Sequence, residues 1–202
     1  MRRAMQTIVR IETKFGAIRV MLDEDAAPIT ATNFLAYVDE GLYDGGIFHR
    51  TVRLDNQSNA NLKKEAIGKG IDPNADRSQL PNDQVAIEVI QGGINPERSD
   101  ELGDPIPLER TSETGLSHVD GTISMARLTP ESAVSNFFIC INDQPELNYG
   151  GRRNPDGQGF AAFGHVIEGM DVVREIQAQP SAGQRLDPLV TITRIVRESE
   201  DR

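Results

Sequence analysis

The sequence predicts a mainly β protein in which seven or eight strands close into a mostly antiparallel barrel with helices at its open ends. Short apolar segments rich in β-branched and aromatic residues recur along the chain, separated by turns rich in Gly, Pro and Asn. Only two segments keep the spacing of an amphipathic helix. Strands that follow one another without intervening helices favour a closed antiparallel sheet over a parallel βαβ sheet.

The N-terminal part of the chain predicts a hairpin, a helix and a third strand. Residues 7–22 alternate apolar and polar side chains around a Lys-Phe-Gly turn, with Ile8 and Ile11 among the apolar positions of the first strand. Pro28 suits the first position of a helix and Gly41 suits its end, so we predict an amphipathic helix between them. An Asp-Gly-Gly turn then leads into a strand.

The rest of the chain contains one long polar excursion and several further strands. Residues 53–84 are rich in Asn, Asp, Gly and Pro, which predicts an insertion loop with one or two helical turns at most. A second polar, turn-rich stretch covers 94–118, and a second amphipathic helix is predicted at 170–177. The remaining strands are predicted at 85–93, 121–126, 135–143, 160–169 and 189–198. Because no repeat or linker divides the chain, we expect a single domain over 1–202.

The charge balance argues against two classes of partner. The 202 residues include 31 acidic and 21 basic side chains, a net charge of −10. Duplex nucleic acid and anionic membrane surfaces both need clustered Lys and Arg, so we expect neither as a partner. No apolar run approaches the ~18 residues of a membrane span. The N-terminus lacks an apolar signal region, so we expect a cytoplasmic monomer, although a periplasmic protein stripped of its signal peptide would look the same.

Nucleophilic and metal-dependent chemistry lack their usual motifs. There is no Gly-x-Ser-x-Gly elbow, and the three histidines stand singly, without the spacing of a metal site. The only cysteine, Cys140, lies in the apolar segment Phe-Phe-Ile-Cys, where a thiol is typically a core residue. We therefore expect no metal and no cofactor.

Five segments carry a more specific signal because of their order and spacing. The segments are IFHR (47–50), IQGG (90–93), GTISMAR (121–127), SNFFI (135–139) and AFGHVIEGMDVV (162–173). With them, the sequence resembles the cyclophilin family of peptidyl-prolyl cis-trans isomerases, especially its bacterial members, over residues 7–52 and 85–196. This resemblance implies a closed eight-stranded antiparallel barrel capped by two α-helices, and substrates that are proline-containing polypeptides.

The resemblance also implies roles for individual residues. Arg50 would donate a hydrogen bond to the prolyl nitrogen, Gln91 would hold Arg50 and the substrate backbone, and Phe138 would form the floor of the proline pocket. A guanidinium suits the donor role, because it stays charged and donates in fixed directions. Asn136 stands where the family usually has Gln. The pocket wall and the neighbouring substrate-facing edge would be formed by Leu147, Met125, Ala126 and Arg127.

Three positions depart from the family pattern. Counted back from Gln91, Glu88 falls where a pocket phenylalanine is expected. Glu146 falls where an aromatic residue, often tryptophan, precedes Leu147, and Phe160 takes a place usually held by His or Tyr. Two carboxylates in place of two aromatic rings would weaken the apolar grip on proline, and an acid near the arginine would compete with substrate.

Two hypotheses therefore stand. The first is an active isomerase of X–Pro bonds in protein folding. The alternative is a peptide- or protein-binding module of the same fold with weak or no isomerase activity, which the two glutamates and the 53–84 insertion favour. The insertion itself is either a surface loop or a lid, because both of its ends would lie beside the pocket.

Overall fold

The computed structural model describes residues 6–57 and 85–198, and these form a closed antiparallel barrel. Residues 58–84, most of the predicted insertion, lie outside the described residues. The strands are β1 (Gln6–Thr13), β2 (Gly16–Asp23), β3 (Gly46–Val52), β4 (Val89–Gly93), β5 (Thr122–Met125), β6 (Phe137–Cys140), β7 (Ala162–Glu168), β8 (Ser181–Ala182) and β9 (Arg185–Arg197).

The barrel is closed by eight strands, as the family resemblance implied. Around it the strands run in the order β1-β2-β7-β5-β6-β4-β3-β9, and β9 pairs back with β1 to close the sheet. The two-residue strand β8 pairs only with β9 and lies outside this ring. Closure gives every main strand two hydrogen-bonded neighbours, so the barrel presents no open edge among these strands.

Three α-helices accompany the barrel among the described residues: α1 (Pro28–Asp39), α2 (Thr111–Thr114) and α3 (Met170–Gln177). The two longer helices confirm the two predicted ones; α1 packs against β9, β2 and β7, and α3 packs against β2, β3 and β4. The stretch 94–118 is more ordered than predicted, because it contains the one-turn α2 and a 3₁₀ helix at Pro96–Glu101. None of the helices in the described parts of the chain is long and apolar enough to cross a membrane.

The barrel interior is an aromatic core. Phe34 from α1 lies 5.1 Å from Tyr43 and 5.6 Å from Phe137, measured between ring centroids, with edge-to-face or tilted geometry. In β1 the inward face carries Val9 and Ile11, both fully buried, whereas Ile8 is only partly buried. The predicted hairpin is thus confirmed, but alternation along the strand places Val9 rather than Ile8 beside Ile11.

A second, smaller apolar cluster lies on the outer face of strands β3, β4 and β6. Phe137 and Ile139 of β6 point into the barrel, and the alternate residues Phe138 and Cys140 point outward. Consecutive phenylalanines on one strand thus belong to two different cores, because alternate residues point to opposite faces of the sheet. The outer cluster comprises Val52, Ile87, Val89, Phe138, Cys140, Leu147 and Phe160.

Candidate active site

Cross-strand register brings the three central predicted residues side by side. Arg50 on β3 pairs with Gln91 on β4, and Gln91 pairs with Phe138 on β6. Residues paired in this way point to the same face of the sheet at a spacing of about 5 Å. An arginine, an amide and an aromatic ring therefore form one row across the outer face of the barrel.

A β-bulge turns Arg50 to this outer face. In a regular strand Arg50 would share a face with Phe48, two residues earlier, and Phe48 is fully buried in the barrel. The pairing of β3 with β4 shifts register between Phe48 and Arg50, which leaves His49 as the extra residue on that side. The bulge reverses the alternation, so that the guanidinium emerges beside the outer apolar cluster.

Two glutamine side chains hold the guanidinium. Arg50 Nη1 donates to Gln91 Oε1 at 3.1 Å, and Arg50 Nε and Nη2 both donate to Gln184 Oε1 at 2.9 and 2.7 Å. Gln184 lies in the turn between β8 and β9, and its Nε2 donates to the Asn56 carbonyl at 3.5 Å. No local pattern pointed to Gln184, because its contact with Arg50 joins residues 134 positions apart.

An apolar pocket of about 240 Å³ opens next to Arg50. Phe138 lies edge-on to Phe160 with ring centroids 5.4 Å apart, and Leu147 is fully buried beside them. The pocket is smaller than the roughly 300–1,000 Å³ of sites that enclose drug-sized ligands, which suits a single ring. Its lining residues are Arg50, Ile87, Val89, Gln91, Ala126, Arg127, Leu128, Phe138, Leu147, Arg153 and Phe160.

The structure places neither glutamate in this pocket, which corrects the sequence-based expectation. Glu88 accepts a hydrogen bond from Asn142 Nδ2 at 2.9 Å outside the pocket, because strand alternation gives the pocket face to Ile87 and Val89. Glu146 pairs with the exposed Arg152, N to O 3.0 Å, and accepts from its backbone N–H at 2.8 Å. Counting positions from a motif was wrong at both places. The wall is apolar.

Only two of the three residues predicted to form the substrate-facing edge line the groove. Met125 is 1% exposed and packs inside the barrel, since it is the last inward-facing residue of β5. Ala126 and Arg127 do line the pocket. The Arg127 side chain is itself buried: it donates to both oxygens of Asp156 at 2.8 and 3.0 Å and lies over the Phe160 ring at 5.1 Å.

A second cavity of about 520 Å³ continues the groove on the far side of Gln91 and Arg127. Asn136 lines it, with Leu128 between the two cavities and 81% exposed. Gly93 faces Asn136 so closely that a Cβ there would collide with the Asn136 amide oxygen, which explains the second glycine of the IQGG segment. The other side of this cavity carries Arg185 from β9, which sequence reasoning did not single out.

The described first residues of the 53–84 excursion are hydrogen-bonded to residues beside the site. Gln57 Nε2 donates to the Ile87 carbonyl at 2.7 Å, and the Ile87 N–H donates back to Gln57 Oε1 at 3.1 Å. Asn56 Nδ2 donates to the carbonyls of Thr51 and Gly183 at 2.9 and 3.2 Å. The described residues Gln57 and Ile87, on either side of 58–84, therefore meet beside the pocket that Ile87 lines.

The buried titratable groups near the pocket are held neutral. His118 lies under the Phe138 ring and bonds Asn148 Oδ1 and Ser124 Oγ, and burial lowers its pKa to about 4. Burial likewise raises the pKa of the Cys140 thiol far above its usual value. Within residues 6–57 and 85–198, no cluster of three His, Cys, Asp or Glu side chains is placed to hold a metal ion. The groove therefore combines the hydrogen-bonded Arg50 guanidinium, amide groups and an apolar slot.

Comparison with known proteins gives a consistent result. The family model for cyclophilin type peptidyl-prolyl cis-trans isomerases matches residues 8–197. The peptidyl-prolyl cis-trans isomerase cyp18 of Streptomyces antibioticus is 31% identical over 192 residues, covering 95% of each chain. Peptidyl-prolyl cis-trans isomerase B of Escherichia coli is 31% identical over 171 residues, covering 84% of each. A crystal structure of a cyclophilin type isomerase from Cryptosporidium parvum superposes with a TM-score of 0.69 at 22% identity, covering 97% of this chain and 99% of that one.

Proposed function

The chain belongs to the cyclophilin family of peptidyl-prolyl cis-trans isomerases, and on this basis we propose that Arg50 accelerates the rotation of X–Pro bonds by donating a hydrogen bond to the prolyl nitrogen. The observation that carries this mechanism is the guanidinium fixed between Gln91 and Gln184 beside an apolar pocket.

Faster rotation of the X–Pro bond requires a hydrogen-bond donor that interacts with the nitrogen only in the transition state. In the planar amide the nitrogen lone pair is delocalised into the carbonyl, and this resonance sets a barrier of about 18–20 kcal/mol. As the bond twists, the lone pair returns to nitrogen and becomes a hydrogen-bond acceptor. A guanidinium N–H aimed at that position stabilises the twisted state more than either planar ground state, which is the condition for catalysis.

The pocket supplies the grip that makes rotation productive. The proline ring would enter the slot between Phe138, Leu147 and Phe160, where burial of apolar surface holds it in place. Gln91 accepts from Arg50 through Oε1, and its Nε2 group can donate to the substrate backbone. With the ring fixed, the acyl part of the X–Pro bond rotates while the nitrogen stays within reach of the arginine.

The alternative of a binding module without catalysis loses its main support. It depended on Glu88 and Glu146 replacing aromatic rings in the pocket, and both side chains lie outside it, on Asn142 and Arg152 respectively. The apolar wall is present instead. The other argument for that alternative was the insertion, and residues 58–84 lie outside the described part of the chain.

The direct test is a comparison of Arg50→Ala and Arg50→Lys with the parent on an acetylated, amidated proline peptide by NMR exchange spectroscopy. We expect kcat/KM to fall about 100-fold for alanine, the usual effect of losing one transition-state donor. Lysine should recover little, because a point charge lacks the planar fork that Gln91 and Gln184 hold. Arg197→Ala, which removes an exposed arginine paired with Asp39 at 2.6 Å, serves as the control. Parental kcat/KM in Arg50→Ala would contradict the mechanism.

A further inference from the structure

The described walls of the groove hold basic but no acidic side chains, whereas the chain as a whole is acidic. The chain has a net charge of −10, yet no aspartate or glutamate lines either of the two adjoining cavities among the described residues. Their walls instead include four arginines and a histidine: Arg50, Arg127, Arg153, Arg185 and His49. A basic groove on an acidic protein creates a local positive potential that attracts anionic groups.

The acidic residues of the 3₁₀ segment beside the larger cavity do not line that cavity. The 3₁₀ segment Pro96–Glu101 and the residue after it present Pro96, Ser99 and Leu102 to the larger cavity. The segment bends at Arg98, and its acidic residues Glu97, Asp100 and Glu101 do not line the cavity. One of them, Glu101, is already paired with Arg98 at 2.6 Å.

The arginines differ in how their charge is matched. The Arg127 charge is neutralised by Asp156, and the Arg50 guanidinium is held by Gln91 and Gln184. Arg185 is exposed and, within residues 6–57 and 85–198, has no carboxylate within 4 Å. It therefore contributes a positive charge that the described surroundings leave uncompensated.

The position of Arg185 adds a second, independent observation. Arg185 on β9 is the direct cross-strand partner of Arg50 on β3, which in turn pairs with Gln91. Like charges placed directly opposite each other destabilise an antiparallel pair. An anion bound on this face would be attracted by the Arg185 guanidinium, so the arrangement favours an acidic ligand group next to the site of rotation.

We propose that the groove selects polypeptides with an aspartate or glutamate close to the proline, and that Arg185 is the residue that recognises the acidic side chain. This inference rests on the proposed isomerase function and names the substrate class for it. The larger cavity, at about 520 Å³, has room for a side chain that flanks the proline held in the smaller one.

The test compares peptides that differ only in one flanking side chain. Glutamate, glutamine or lysine is placed in turn at each of the three positions before and after proline, in acetylated and amidated peptides that carry no terminal charge. We expect kcat/KM for the best glutamate peptide to exceed that of the matching lysine peptide by about fivefold at low ionic strength, a ratio typical of one exposed ion pair. The ratio should shrink towards one as salt screens the charges.

Variants assign the effect to one residue. In Arg185→Gln the glutamate-to-lysine ratio should fall to about one, and in Arg185→Glu it should reverse, because the sign of the local charge is reversed. Arg194→Gln changes net charge equally on the same strand, but Arg194 pairs with Glu12 at 2.7 Å away from the groove, so it should keep the parental ratio.

The outcomes separate the two proposals. Isomerisation of all peptides with equal kcat/KM for glutamate and lysine would overturn the charge preference alone. A preference that survives in Arg185→Glu would remove Arg185 as its source. If no peptide is isomerised faster than in the absence of protein, the isomerase function itself fails.

Discussion

Gln184 fixes the Arg50 guanidinium on the side opposite Gln91. Its single carbonyl oxygen accepts from both Nε and Nη2, so the plane of the guanidinium is set by a bidentate contact. The Gln184 backbone also takes part, because its carbonyl accepts from the Thr51 N–H at 2.9 Å. One residue of a tight turn therefore controls both the strand end and the side chain that acts on substrate. Gln184 is a positioning residue.

Replacing Gln184 should lower the rate without unfolding the protein. We expect Gln184→Ala to reduce kcat/KM about tenfold, because a guanidinium displaced by a fraction of an ångström loses its alignment. Gln184→Glu keeps the acceptor oxygens, but its charge would pair with Arg50 and compete with substrate, so it should restore the position of the guanidinium more than the rate. The Arg50 15Nε resonance should shift in the alanine variant and return in the glutamate variant.

A double-mutant cycle distinguishes positioning from a general structural effect. In an Arg50→Ala background, Gln184→Ala should cost nothing further, since the group that it positions is gone. An equal loss of kcat/KM in both backgrounds would contradict the positioning role.

At the scale of elements, the loop 148–159 is held in place by an arginine from the β5 side. Arg127, whose side chain is fully buried, joins Asp156 and donates from Nε to the Gly159 carbonyl at 2.8 Å. Burial alone would raise the pKa of Asp156, but the hydrogen bonds from Arg127 and from the Gln158 N–H hold it below its usual range. The ion pair thereby fixes Phe160, a wall of the proline pocket, at the end of the loop.

Loss of Arg127 should loosen this loop and the pocket wall together. We expect Arg127→Met to lower the free energy of unfolding by about 3 kcal/mol, because it leaves a partly buried carboxylate without its partner. Hydrogen exchange at 156–160 should accelerate, and KM should rise more than kcat falls, since Phe160 acts in binding.

The matched control lies in the same loop. Arg152 pairs with Glu146, but its side chain is 60% exposed, so Arg152→Met should cost less than about 1 kcal/mol. Equal effects on stability and on hydrogen exchange from the two substitutions would show that burial of the Arg127 pair does not matter.

At the scale of the whole molecule, one buried imidazole links stability to pH. The unfolded chain protonates His118 below pH 6.5, whereas the folded protein does so only below about 4. The folded state therefore binds fewer protons between these values, and the free energy of unfolding falls as pH decreases from 6.5 to 4. Above pH 6.5 this contribution is fully present.

The size of this effect follows from the pKa difference. We expect the free energy of unfolding to drop by about 3 kcal/mol across that window, measured by urea unfolding at successive pH values. His118→Gln should remove most of the slope between pH 6.5 and 4.5, above the range in which the carboxylates titrate. His165→Gln, a change at an exposed histidine on β7, should leave the slope as it is. A parental slope in His118→Gln would assign the pH dependence to other groups.

Much of the fold could be predicted because its signals are local. Period-two alternation, the Pro28 start and the recurrent turns predicted the first hairpin and helix α1. Boundaries were less accurate: β4 begins at Val89 rather than residue 85, and β9 begins at Arg185 rather than 189. Hydrogen bonding to a neighbouring strand, which fixes those boundaries, is not a property of the segment alone.

Residue types and their order along the chain were enough to predict the barrel class and the family resemblance, and through that resemblance the importance of Arg50, Gln91 and Phe138. Tertiary structure alone decided which side chains face the groove. The bulge at His49 turned Arg50 outward, alternation removed Glu88 from the pocket, and the β8–β9 turn supplied Gln184. Each of these depends on the register between strands, and a shift of one residue moves every side chain to the opposite face. Distance along the chain does not encode that register.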